Sequence, residues 1–295
     1  MIETLDLHFL GIDHAIASFL IPTTEGPVLI ETGPHSTLRS LEASVQQRGY
    51  KLEEIRHVLL THIHLDHAGA AWYLARHGAT VYLHPFGEAH LADPSKLMDS
   101  ARRIYKDQMD QLWGDMQPIA SQHLRTVKNG EVIGIGGTQF RSIHTPGHAR
   151  HHIAWQMDHV LFTGDVAGVK IGNGPVVPPC PPPDIDLEDW NRSIDLILNE
   201  KPEQLYLTHY GQVLQVPKHM DELRNILNDW AYWIKEKWEQ GLSPDAMTPL
   251  FSAYTANQLR KKGVSEHGIA QYEAANPAWM SVAGLIRYWK KRAEM

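Results

Sequence analysis

The densest chemistry in the chain lies in Thr61-His62-Ile63-His64-Leu65-Asp66-His67, directly after the apolar run Val58-Leu59-Leu60. Residues two apart in an extended chain project to the same side, so His62, His64 and Asp66 leave the strand together. His67 follows where Ala68-Gly69-Ala70-Ala71-Trp72-Tyr73-Leu74-Ala75 starts a helix. Three imidazoles and a carboxylate this close make a set of donors for a borderline or hard cation. The competing reading is a loop of surface histidines with Asp66 as a helix N-cap.

Three later stretches each place one more donor just after an apolar strand. In Ile143-His144-Thr145-Pro146-Gly147-His148 a Pro-Gly turn presents His148. In Leu161-Phe162-Thr163-Gly164-Asp165 a glycine lets the backbone swing Asp165 out of the sheet end, and Tyr206-Leu207-Thr208-His209-Tyr210-Gly211 offers His209. Singly, each is more often a hydrogen-bonded structural residue than a ligand. Together, four strand ends finishing in His or Asp beside Thr and Gly converge on one rim of a layered sheet.

The elements that would position these residues alternate. Short strands are expected at Leu5–Leu10, Ala15–Ile21 and Val28–Glu31, then a helix from Ser36 with Leu38, Leu41 and Val45 on one stripe and Gly49 at its end. Val58–Leu60 and Thr80–Leu83 are further strands. The span 94–117 carries Leu97, Ala101, Ile104, Tyr105, Met109 and Leu112 at helical spacing, with Trp113 beside them. It is expected to be one long helix or a pair, packed on the body or serving as a lid. Strands return from Leu124 to Thr163, with a hairpin turn at Asp158-His159. Lys170–Asp186 is too rich in Gly and Pro for regular structure. A helix at Leu187–Asn199 and a strand at Gln204–Thr208 follow. Everything beyond Pro217 reads as helical, with Ser243-Pro244 and Asn276-Pro277 each expected to supply an N-cap and a first-turn proline that open a helix. The alternation is that of an α/β layer architecture.

Bulk composition narrows the function. The chain has 295 residues, 43% of them apolar and 21% charged, and a net charge of -7. That balance argues against nucleic acid as a partner, since phosphate binding needs clustered Lys and Arg. No signal-peptide pattern or bilayer-length apolar run is present, so neither a membrane partner nor export is expected and a cytoplasmic location is the default. A single cysteine, Cys180, rules out an internal disulfide and a cysteine metal cage. In Pro178-Pro179-Cys180-Pro181 it is expected to be a packing residue.

With these residues in view, the chain resembles the metallo-β-lactamase-fold hydrolase superfamily over roughly residues 5–215. Its hallmark His-x-His-x-Asp-His matches His62, His64, Asp66 and His67, and its later ligands match His148, Asp165 and His209 in order. The resemblance implies an α/β fold: an αββα four-layer sandwich with the site at one sheet edge. It also implies a catalytic domain over 1–216, with 94–117 as a helical lid insertion and 217–295 as a C-terminal helical extension. One metal would be held by His62, His64 and His148, the second by Asp66, His67 and His209, with Asp165 bridging. The expected cofactors are two divalent ions, zinc first, with iron or manganese as alternatives. The family's Asp-x-Gly is here Glu31-Thr32-Gly33, so Glu31 would orient a ligand loop, and His152 matches a common supporting histidine. His151 and Arg150 stand where relatives carry small residues and face either substrate or solvent.

The implied activity is hydrolysis of a small ester, lactone or thioester by a metal-bridging hydroxide, as in glyoxalase II-like and lactonase-like relatives. Asp66 is the expected proton shuttle, and Tyr210 the candidate donor to a developing oxyanion or else a packing residue. A phosphodiester or phosphotriester hydrolase is the main alternative. Persulfide dioxygenase-like relatives, with a single iron, lack the second set of ligands that this chain retains. A non-catalytic scaffold with a structural metal is the remaining class. The expected partner is a small molecule. Trp230, Trp233, Trp238, Trp279 and Trp289 in the tail are expected to pack on the sandwich, or else to close the pocket or form a homodimer contact.

Overall fold

The computed structural model describes residues 1–294. Two six-stranded sheets dominate it. The first sheet runs in chain order through β1 (Glu3–Asp6), β2 (Ala17–Thr23), β3 (Gly26–Ile30), β4 (His57–Leu59), β5 (Thr80–Leu83) and β6 (Leu124–Thr126). The second contains β7 (Val132–Ile135), β8 (Thr138–His144), β9 (Ile153–Met157), β10 (Val160–Phe162), β11 (Gln204–Leu207) and β12 (Gly211–Val213), and is ordered from β12 back to β7. β3 through β6 are parallel neighbours, as are β10 and β11; the other pairs are antiparallel.

Period-two alternation explains the stacking. Phe19, Ile30, Leu59, Trp155, Phe162 and Tyr206 point into one core between the sheets. Their neighbours Leu20, Leu29, Val58 and Leu60 face outward against α1 (Leu38–Gln46), α2 (Leu65–Ala68) and α3 (Ala71–Arg76). On that same outer side lie α4 (Pro85–Ala92), α5 (Ser95–Tyr105) and α6 (Met109–Leu112). Across the molecule Leu161, Leu205 and Leu207 face α7 (Leu187–Glu200), α8 (Val216–Glu239), α9 (Pro244–Lys261), α10 (Glu266–Ala275) and α11 (Ala278–Ala293). The architecture is the expected αββα sandwich with C-terminal helices.

Two local expectations, the end of the first strand and the cap of α11, are corrected. The first strand stops at Asp6, because its carboxylate accepts the N–H of His8 at 3.1 Å and of His14 at 2.9 Å while Leu10 turns left-handed. The span 94–117 is a pair of helices, the second of the two expected forms, broken at Lys106, whose φ is 50°. Its expected apolar stripe both packs on the core and lines a cavity, where Ile104 stays 44% exposed. Asn276 does not cap α11; its side-chain amide donates to the Pro178 carbonyl at 3.1 Å and ties the tail to the proline-rich loop. Ser243 does cap α9, accepting from the Ala246 N–H at 3.3 Å. Cys180 is fully buried in the α7–α11 core, and burial pushes its thiol pKa up, as suits a packing residue.

Candidate metal centre

Every expected donor sits just beyond the C-terminal end of a strand. β4 delivers His62, His64, Asp66 and His67, β8 delivers His148, β10 Asp165 and β11 His209. The two sheets are stitched together at this edge, where the Ile153 N–H donates to the Thr61 carbonyl and the Ala17 N–H to the Thr208 carbonyl, both at 2.8 Å. Asp66 is not the N-cap of α2: His64 occupies that position and Asp66 lies in the first turn.

Two tight sets result. In the first, Nε2 of His62 and Nε2 of His148 each lie 3.0 Å from Nδ1 of His64, and Oδ2 of Asp165 is 3.2 Å from His148. In the second, Nε2 of His209 is 3.4 Å from Oδ2 of Asp66 and from Oδ1 of Asp165. Nε2 of His67 is 3.2 Å from that same Oδ1. One oxygen of Asp165 thus faces each set. The edge of a tetrahedron of metal–ligand bonds about 2.1 Å long is about 3.4 Å, so both sets match the spacing of ligands around a common cation.

Polar accounting gives the same answer. Nε2 of His67, Nε2 of His209 and Oδ1 of Asp165 are buried without a hydrogen-bond partner, and such orphans are costly unless something fills the gap. Outer nitrogens of the donor histidines are held in the manner of metal-binding histidines. Nδ1 of His148 donates to the Pro179 carbonyl at 2.9 Å and Nδ1 of His209 to the Ala15 carbonyl at 2.7 Å. Nδ1 of His62 lies 3.0 Å from the Thr61 hydroxyl.

Protonation follows from burial and charge. Burial, with the surrounding histidines, pushes the His62 pKa well down, and burial takes His64 to about 3, so both are neutral donors. Burial also disfavours charge on His67, but Asp165, Asp66 and Glu31 outweigh it and hold its pKa well above the ordinary value. Burial raises and His67 and His209 lower the pKa of Asp66, which ends at about 2. The carboxylates around the second set therefore draw positive charge into it.

Supporting residues are in place around it. Glu31, fully buried and left-handed at φ 61°, accepts the Thr61 N–H at 2.9 Å and lies 3.2 Å from Nδ1 of His67. His152 meets the Thr145 hydroxyl at 2.8 Å and accepts the Asp165 N–H at 3.3 Å, which fixes the backbone at that ligand. Two glycines admit these approaches. A Cβ at Gly147 would lie 2.3 Å from Cα of Trp190, and one at Gly164 would lie 2.3 Å from Oγ1 of Thr61.

A family model described as the metallo-beta-lactamase superfamily matches residues 11–209. The chain belongs to that superfamily. It is 33% identical over 182 residues to the metallo-beta-lactamase fold-containing protein ST1585 of Sulfurisphaera tokodaii, covering 60% of this chain and 68% of that one. The crystal structure titled for ST1585 from Sulfolobus tokodaii superposes with a TM-score of 0.64 at 26% identity, over 77% of this chain and 85% of that chain. The metallo-beta-lactamase family protein TTHA1429 of Thermus thermophilus shares the fold over 99% of this chain and 94% of its own, with a TM-score of 0.67 at 18% identity. A thioesterase of Emericella nidulans, pkgB, is 25% identical over 68% of this chain, which spans 47% of that longer protein.

Within this superfamily member, several residues stand where the sequence was silent or open. His151 lines the cavity above the metal sets, its buried Nδ1 without a partner, whereas Arg150 points outward to Asp184 at 3.6 Å. Tyr210 packs against His14, with ring centroids 4.5 Å apart and the rings tilted by 40°, and is not among the residues lining the cavity, which argues for packing over oxyanion donation. Trp190 braces His148 with its ring 5.7 Å away and donates Nε1 to the Val166 carbonyl at 2.8 Å. No local sequence signal marks Trp190, because its role exists only once α7 docks on the sheet. No helix among the described residues is long and apolar enough to cross a membrane.

Proposed function

We propose that this metallo-hydrolase superfamily member cleaves a carboxylic ester, lactone or thioester with two divalent cations, zinc being the first choice. The observation that carries the reading is the pair of donor sets sharing Asp165, one built on neutral histidines and one that sets two buried histidines against carboxylates. His62, His64, His148 and Asp165 would hold one ion; Asp66, His67, His209 and the other oxygen of Asp165 would hold the second. When bound, the ions supply Lewis acidity and a water ionised near neutral pH. The completeness of the second set favours two cations over a single-iron oxygenase.

The remaining steps belong to the chain. The cavity above the sets takes the substrate and places its carbonyl over them. Asp66 is open to that cavity, its side chain 20% exposed. It is placed to accept the proton of the attacking water and return it to the departing oxygen or sulfur. The water oxygen bonds to the carbonyl carbon, the carbon–oxygen or carbon–sulfur bond breaks, and the proton ends on the leaving group. His151, beside His64 on the cavity wall, offers a polar contact to the bound substrate. A thioesterase among the relatives supports a thioester as one member of the class.

The test is elemental analysis together with a panel of lactone, thioester, aryl ester and phosphotriester substrates. Expected are about two equivalents of metal, turnover on carboxyl electrophiles, and, in a His62→Ala, His64→Ala double variant that stays folded, loss of turnover with metal reduced to about one equivalent. Metal-free protein after gentle purification, or turnover confined to the phosphotriester, refutes it.

A further inference from the structure

A cavity of about 710 Å³ opens above the metal sets, within the range of small-molecule sites. Its floor is made by His64, Asp66, Asp165 and His209. One wall is the α5–α6 segment, through Leu97, Ala101, Ile104, Tyr105 and Trp113; the facing wall is the C-terminal tail, through Ala274, Pro277, Trp279 and Met280. The walls are clasped to each other. The Tyr105 hydroxyl contacts the sulfur of Met280 at 3.8 Å, and the Tyr105 ring lies 5.1 Å from Trp113 and 5.6 Å from Trp279.

Two further features bear on the occupant. Leu10 and Ile104, both lining the cavity, remain 42% and 44% exposed, so the entrance is apolar as well as the interior. Leu10 is held there in a left-handed backbone at φ 56°, a conformation costly for a branched residue and found where function over-determines it. Beyond the metal sets, the charged lining residues are Asp184, Glu273 and Lys96. Glu273 is fixed by the Ala278 N–H at 3.2 Å on the tail side, and with Asp184 it outweighs Lys96, so the lining disfavours an anionic substrate end.

We propose that the space between α5–α6 and the C-terminal helices is an acyl pocket, so that the substrate is an ester or thioester of an uncharged, extended apolar acid. The inference rests on the hydrolase reading above. It assigns chain-length selectivity to Tyr105, Ala274, Trp279 and Met280, and uptake to Leu10 and Ile104. The acyl carbonyl sits over the metal sets and its hydrocarbon runs between the two aromatic walls. The leaving group departs toward solvent.

N-acetylcysteamine thioesters of acetic, hexanoic and decanoic acid, and of the ten-carbon dicarboxylic acid, test this with the full-length metal-loaded protein. Each buried methylene is worth up to about fourfold in kcat/KM, so decanoyl should exceed acetyl by at least about a hundredfold, with the dicarboxylic analogue well below decanoyl. Ala274→Phe, which adds bulk to the tail-side wall, should cut the decanoyl-to-acetyl ratio at least tenfold. Ile104→Glu, at an exposed position that tolerates a charge, should lower the same ratio. Turnover independent of chain length, or a ratio unmoved in both variants, overturns the pocket. If no thioester or ester is cleaved, the hydrolase reading fails by itself, and calorimetry with decanamide still decides the pocket. Binding with a negative heat-capacity change, weakened tenfold in Ala274→Phe, supports it; no binding overturns it.

Discussion

Replacing Gly147 by alanine tests how the sheet edge aims its ligands. Gly147 sits at φ +130°, and an added Cβ would fall 2.3 Å from Cα and 2.4 Å from N of Trp190. Trp190 cannot retreat. It is fully buried, its N–H is bound to the Asp186 carbonyl at 3.0 Å, and its ring nitrogen is bound to Val166. The strain of a non-glycine residue in that backbone region is about 1–3 kcal/mol, and overpacking adds about 1–3 kcal/mol. The easiest relief is for the Thr145–Gly147 turn to move off α7, carrying His148 with it. Metal–ligand distances tolerate about 0.2 Å, so a shift of about 1 Å removes His148 from the first set. Calorimetry should find a lower but still cooperative transition, down on the order of 10 °C. Elemental analysis should find metal content reduced to about one equivalent, with activity lost in proportion. A variant that melts lower yet keeps both metals and wild-type kcat/KM refutes the argument, because Gly147 would then serve only packing.

Two other predictions use residues outside the ligand set. Glu31→Gln keeps an acceptor for the Thr61 N–H but removes the charge 3.2 Å from Nδ1 of His67; affinity for the second metal should fall about 10- to 100-fold in a competition titration, and an unchanged affinity assigns Glu31 to folding alone. His219, buried with Nε2 donating to the Ala167 carbonyl at 2.7 Å, has its pKa lowered by burial from 6.5 to about 4. Below pH 6.5 the unfolded chain takes up a proton that the native state refuses. Stability is therefore fully present above that pH and is lost as pH falls toward 4, by up to about 3 kcal/mol. His219→Gln, which can still donate to Ala167, should flatten that part of the urea-denaturation pH profile. Parallel profiles for the two proteins refute it.

The sequence made the floor of the site legible and left its walls obscure, for a physical reason. His62, His64, Asp66 and His67 are neighbours in the chain, and period-two projection from a short buried strand decides their side. His148, Asp165 and His209 each follow an apolar run with a glycine or threonine beside it, so the strand end itself is the signal. Tyr105, Trp113, Trp279 and Met280 have no such mark. Tyr105 and Met280 are far apart in the chain, and their contact depends on how α10 and α11 dock, which periodicity does not encode. The same limit explains 94–117. Its apolar stripe was visible, but a stripe facing a cavity and a stripe facing a core look identical in one dimension. Asn276-Pro277 misled because proline marks a helix start without saying whether the residue before it caps that helix or bonds elsewhere. The left-handed turns at Leu10 and Glu31 contradict local preference and became visible only in the folded chain.

The two halves of the molecule divide the work unequally. The sheet edge concentrates acidic and imidazole groups where water is scarce, and a low-dielectric setting amplifies the field between them. That arrangement is unfavourable without a cation, since His67 and His209 must otherwise take up protons to balance Asp66, Asp165 and Glu31. The helices contribute the opposite property, an apolar chamber lined chiefly by residues outside the ligand strands. On the proposed reading, the donor sets determine the reaction. Selectivity then rests on α5, α6, α10 and α11, which can change without disturbing a ligand. A substitution in α10 that altered metal content as strongly as substrate preference would contradict this separation, because Ala274 lines the cavity without belonging to either donor set.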